Sequence, residues 1–200
     1  MRNAVSRRDV LVGATAALAG CNVLPKDDGP IEASADAPAV LPTGGEYTQV
    51  ASSEVTVETT IQVDLSGDVQ LSSQQDVTAT VFQRVYGDGA GHRFGLLTAP
   101  AVTVVEQPEV VRDPLTAVDA TRVVATALDA NVQSVDGWNT DGSTTLLGTE
   151  TTRERTTATV DGSERAVARA RVRTGNDSVT AMATSPDDWT PPFGDVTRDA

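Results

Sequence analysis

One histidine, one cysteine and a row of arginines are the residues of this 200-residue chain whose types could do chemistry. His92 follows the glycine-rich stretch Gly87-Asp88-Gly89-Ala90-Gly91. A general base needs an orienting partner, and none is evident from the sequence, so His92 reads as a solvated turn residue. No serine stands in a Gly-x-Ser-x-Gly elbow, and no His/Cys spacing suits zinc. The glycine-rich stretch would need a following helix to cradle phosphate, yet it runs into a strand pattern. Asp136, Asn139 and Asp141 offer oxygens to calcium but lack the EF-hand spacing and its closing glutamate. No catalytic residue, metal site or cofactor site is therefore assigned. The arginines are more informative. On an alternating strand Arg169, Arg171 and Arg173 share one face, with Arg165 in the same row. Glu150 and Glu154 are candidates to lie opposite, with Arg153 and Arg155 on the reverse of their strand. Cross-strand ion pairing is the ordinary reading of the row, and a patch for an anion or a partner is the alternative.

The cysteine belongs to a leader. Arg7 and Arg8 form a pair within Ser6-Arg7-Arg8-Asp9-Val10-Leu11, and a mildly apolar run follows over 10–19. That run is short of the roughly 20 residues that span a bilayer and suits the apolar region of a signal peptide. Leu18-Ala19-Gly20-Cys21 then resembles a lipobox. Small residues let a peptidase reach the backbone, and the thiol supplies the nucleophile for a thioether to lipid. The three parts together resemble a twin-arginine lipoprotein signal, used for chains that fold before export. Cys21 is the only cysteine and has no disulfide partner within the chain. Each buried lipid CH₂ adds about 0.8 kcal/mol, and durable anchoring takes two chains.

Composition limits the partners. The net charge is −13, Lys26 is the only lysine, and 4% of residues are aromatic. Loss of residues 1–20 removes three arginines and one aspartate, leaving 12 basic against 27 acidic residues, a net −15. Such a surface repels nucleic acid, whose binding is dominated by phosphate contacts. It also repels itself unless salt screens it, with a Debye length of about 3 Å at 1 M. Acidic, lysine-poor, Ala/Val/Thr/Asp-rich composition resembles that of salt-loving archaea.

The elements that must position these residues are mostly strands. Residues 22–45, with four prolines and Gly44-Gly45, read as an extended tether. From Val55 to Leu65 apolar and polar residues alternate, as do Val77, Ala79, Val81 and Val85 with their neighbours. The glycine-rich turn leads to a return strand over 92–98, and 101–105 is a short apolar strand. Asp113-Pro114 caps an amphipathic helix of about four to five turns that ends near Asn131, with Ala117, Ala120, Val124, Ala127 and Leu128 on one face. Residues 149–160 suit an edge strand, Asp161-Gly162 a hairpin turn, 164–174 the arginine strand, and 178–184 its return. Residues from 187 on read as a partly ordered tail. The expected organisation is a signal over 1–20, a lipidated cysteine and tether over 21–45, an α+β domain over 46–186 and a tail over 187–200. The fold expected is a mainly antiparallel sheet with one principal helix packed on it.

Several segments carry a family resemblance: Ser6-Arg7-Arg8 through Cys21, Phe94-Gly95-Leu96-Leu97-Thr98-Ala99-Pro100, Asp113-Pro114-Leu115, Leu146-Leu147-Gly148-Thr149-Glu150-Thr151, and the Asn176-Asp177 turn. In these the chain resembles a family of haloarchaeal lipoproteins of unknown function, the DUF6517 type, over roughly 46–186. The resemblance brings no activity and transfers no functional residue. The strand-helix-strand order is also similar to Mog1/PsbP-type sandwiches, an analogy of fold that does not carry function.

The function expected is that of a non-enzymatic binding or assembly module, held on the outer face of the cell membrane by lipid on Cys21. Its partners would be the export machinery, the membrane, and a surface protein or small ligand. The alternatives are a surface hydrolase working through carboxylates and, last, a solute-binding component of a transporter, for which the folded stretch is short.

Overall fold

The computed structural model describes residues 29–65, 71–104, 107–186 and 189–199. Arg7, Arg8 and Cys21 lie outside the described residues. The chain runs through β1 (Ile31–Ser34), β2 (Ala39–Val40), β3 (Thr48–Leu65), β4 (Leu71–Gly87), β5 (Arg93–Pro100), β6 (Val102–Val104) and β7 (Gln107–Arg112). A 3-10 turn (Pro114–Ala117) and helix α1 (Ala120–Leu128) follow. Then come β8 (Val132–Val135), β9 (Asn139–Leu146), β10 (Thr149–Val160), β11 (Ser163–Thr174) and β12 (Asp177–Ser185). A second 3-10 turn (Phe193–Asp195) and β13 (Thr197–Arg198) close the chain. The fold is α+β, with nine strands in one mainly antiparallel sheet and α1 on one face of it.

The sheet order is β1-β4-β5-β12-β11-β10-β8, with β3 beside β4 and β9 beside β10. Among the described strands only β1 runs parallel to its neighbour. The alternation around Val57 and Ile61 on β3, and Val77 to Val85 on β4, places those side chains inward. β5 and β12 are buried along most of their length on both faces. β10 is not an edge strand. β11 covers one side of it, and β9 and β8 share the other.

The helix differs from its expected form. Asp113 does cap at Pro114, its carboxylate accepting the Leu115 N–H at 2.9 Å, but what it starts is a 3-10 turn. The turn closes at Val118, and Asp119 begins α1 afresh by accepting the N–H groups of Thr121 and Arg122. Two capping aspartates six residues apart thus divide what the apolar period alone would join. α1 buries Val123, Val124, Ala127 and Leu128 and ends on Asp129 at φ 48°. The sheet completes its C-terminus. Gln83 donates to the Thr126 carbonyl, and Arg93 donates to those of Leu128 and Asp129, both at 3.2 Å. A cation there also suits the negative end of the helix dipole.

The segments expected to be tether and tail are partly folded. Residues 31–34 add β1 to the sheet, and β2 pairs with β13 across the opposite face. There the Thr98 hydroxyl accepts the Ala39 N–H at 2.9 Å, and the Tyr86 hydroxyl accepts that of Leu41 at 3.1 Å. Phe193 packs edge-on against Phe94, with ring centroids 5.5 Å apart. Burial of Ile31, Ala39, Leu41, Phe193 and Val196 explains why these stretches fold despite their prolines. The second face is therefore covered by strand and 3-10 segments, not by helices as in an α/β/α sandwich.

Candidate functional site

The arginine row divides. Arg169 sits opposite Glu154 in the β10–β11 register and holds it with two bonds, Nε to Oε2 at 2.7 Å and NH2 to Oε1 at 3.1 Å. That pairing holds the Glu154 carboxyl below its usual range. Glu150 lies farther along, opposite Thr145. Cross-strand ion pairing, the ordinary reading of the row, thus describes Arg169. Arg173 is exposed at the far end of β11.

Arg171 is different. Burial, with the Arg169 charge beside it, lowers its pKa, and it stays charged at neutral pH. No carboxylate among the described residues comes within ion-pair distance of its guanidinium. Its Nε is buried with no hydrogen-bond partner. Asp113 is close enough to feel its charge, yet burial still raises that carboxyl above the ordinary aspartate range.

Arg169 and Arg171 line a cleft of about 180 Å³ beneath the first 3-10 turn and α1. Leu115, Val118, Val123 and Met182 supply its apolar wall, and Trp138, from the link between β8 and β9, forms a further side. The Arg169 guanidinium lies 3.9 Å from the Trp138 ring centroid, which fixes both. Trp138 Nε1 is a second buried polar atom with no partner. Thr180 Oγ1, on the cross-strand neighbour of Arg171, is also buried without a partner but lies outside the lining of the cleft. Indole and guanidinium nitrogens can only donate. The cleft is thus apolar on one side and rich in unanswered donors on the other, and what complements it is an acceptor oxygen with negative charge.

The chain matches the family described as a domain of unknown function (DUF6517) over residues 33–199. It belongs to that family. Among curated proteins and among solved structures nothing matches it.

Other residues singled out in the sequence go elsewhere in this DUF6517 domain. His92 is packed, not solvated. It pairs with Asp88 and stacks on Trp189, with centroids 4.7 Å apart and planes 1° from parallel. Asp141 pairs with Arg153 at 3.2 Å and Arg155 at 4.0 Å, on the reverse face of β10. Asn139 bonds its own turn through the Gly137 carbonyl, and the Asp136 carbonyl accepts from the Thr156 hydroxyl. Among the described residues no group of three His, Cys, Asp or Glu side chains could hold a metal ion, and no helix is long and apolar enough to cross a membrane. Trp138 was not legible as a site residue, because it is a lone aromatic between turn-formers.

Proposed function

We propose that this protein is a lipid-anchored binding module at the outer face of the cell membrane, taking the carboxylate or similar oxyanion of a small ligand or partner against Arg171. The observation that carries the binding reading is the set of buried donors without acceptors at Arg171 Nε and Trp138 Nε1. Leaving a buried donor unpaired costs about 1–3 kcal/mol, and an incoming anion would recover that. The anchor rests on the leader motif and on the lone Cys21.

Two experiments test the two halves. For the site, the full-length protein labelled with ¹⁵N is titrated with acetate at fixed ionic strength while the indole N–H signals are followed. The Trp138 signal should shift saturably, and Arg171→Gln should abolish the shift. A signal that stays still, or moves equally in the variant, refutes the site. For the anchor, Cys21→Ser should move the protein from the membrane fraction to the medium. Unchanged fractionation would refute the lipid attachment.

The competing hydrolase reading needs two facing carboxylates. Glu46 and Asp195 line an open depression of about 600 Å³. Both side chains are exposed, without the apolar enclosure that turns one carboxyl of a pair into an acid. Binding is the stronger reading.

A further inference from the structure

On the opposite face of the sheet lies a groove of about 330 Å³ that the arginine row does not reach. Its origin is a difference in side-chain size. β11 presents Ala166 and Ala168, and β12 presents Ala183 beside Ala168. Methyl groups leave a trough between the long arginines of β10 on one bank and the C-terminal segment crossing at Trp189 on the other. Farther along the same face, Phe193 and Leu146 fill the space above the sheet.

Each bank has a distinct chemistry. Arg153 and Arg155 share one carboxylate, Asp141, and Arg155 holds it only at 4.0 Å. Among the described residues of the lining, two guanidinium groups thus share one carboxylate, on a chain whose net charge is −13. Across from it stands Trp189, steadied by stacking on His92 and by Tyr47, whose ring centroid is 6.0 Å away. Hydroxyl-bearing Ser185 and Thr190 lie on the lining. The groove thus combines a guanidinium for an anion, a flat apolar wall, and polar groups around a small-residue floor. A purely aromatic acid would want more apolar lining, and a bare inorganic anion would not need the indole. A sugar ring with a carboxylate meets all three demands. Its C–H face suits an aromatic ring, its hydroxyls suit the polar lining, and its carboxylate suits Arg155.

We propose that this groove is a ligand site for an acidic sugar, a hexuronate residue. It is separate from the cleft at Arg171 and does not depend on that cleft's function. The test uses the full-length protein titrated with D-glucuronate, D-glucose and acetate at constant ionic strength, followed by the Trp189 indole signal. Glucuronate should give saturable binding at least about tenfold tighter than either of the others. That margin corresponds to about 1.4 kcal/mol. Arg155→Gln, at an arginine 47% exposed, should weaken glucuronate by about tenfold or more without unfolding the protein. Ala166→Leu, which fills the trough from an exposed position and leaves every charge in place, should do the same. Equal affinity for acetate and glucuronate would reduce the groove to a plain anion site and overturn the proposal. So would equal affinity for glucose, or glucuronate binding that survives Ala166→Leu.

Discussion

Two carboxyls beside the arginine cleft respond to burial in opposite ways. Glu154 gains more from Arg169 than it loses by leaving water, so its pKa falls. Asp113 loses more than Leu115 N–H and Arg171 return to it, so its pKa rises. The signs fix their pH dependence. Stability from Glu154 is present at neutral pH and is lost as pH falls through its folded value. Glu154→Gln should therefore cost about 1–2 kcal/mol at pH 7 and converge with the parent in acid. For Asp113 the favourable range lies below the ordinary aspartate value near pH 4, and it is lost as pH rises through the folded value. Asp113→Asn, which can still cap the turn, should gain on the parent between pH 4 and 7. Thermal melts of the two variants across that range check both slopes. Parallel melting curves for either variant and the parent would contradict the assignment.

At the scale of elements, the contact between α1 and β5 explains why Gly95 stands within Phe94-Gly95-Leu96-Leu97. A Cβ on Gly95 would lie 1.7 Å from the Ala127 carbonyl oxygen. The helix backbone at Ala127 therefore rests directly on the strand, and the glycine is required by close approach of two backbones. Gly95→Ala should cost about 3 kcal/mol by overpacking and loosen α1, measured as a lower melting temperature with weakened near-ultraviolet circular dichroism. The β10–β11 hairpin shows the opposite case, in which local sequence suffices. Asp161 at φ 50° and Gly162 at φ 76° form the turn that Asp-Gly specifies. Its register sets Arg169 against Glu154. Asp161 serves the helix as well, accepting the Asn131 N–H at 3.0 Å.

For the whole molecule, the ends of the described chain meet on a buried carboxylate. Asp177, 1% exposed, receives the Asp36 N–H on both oxygens and pairs with Arg198. The N-terminal segment, β12 and the last strand are joined there, which is why the folded unit reaches well past the expected limits of 46 and 186. Removing one partner of a buried pair leaves a charge uncompensated, at a cost of about 3–5 kcal/mol. Arg198→Met should lower stability by that amount in denaturant melts, and adding Asp177→Asn should restore part of it. The overall charge makes a separate demand. We infer from a net −13 on the chain that folding needs salt. Cooperative unfolding should strengthen as potassium chloride rises toward molar levels, where the Debye length shrinks to about 3 Å. Equal stability in dilute buffer would refute that reading.

Strands, turns and the rule that Arg169 and Arg171 share a face were legible in the sequence, because period-two alternation and Asp-Gly or Gly-Asn turns act between near neighbours. The Asp113 cap was legible too, but not where the helix begins, since Asp119 competes with it six residues on and only packing chooses. Nothing local could show that β5 lies beside β12, or that residues 31–41 fold back to meet 193–198. Those pairings join positions far apart in the chain and are decided by which apolar faces can be buried together. The two clefts have the same origin. The hairpin register gives Glu154 to Arg169 and leaves Arg171 without a carboxylate opposite, but the walls around Arg171 and Arg155 depend on where α1, Trp138 and Trp189 come to rest.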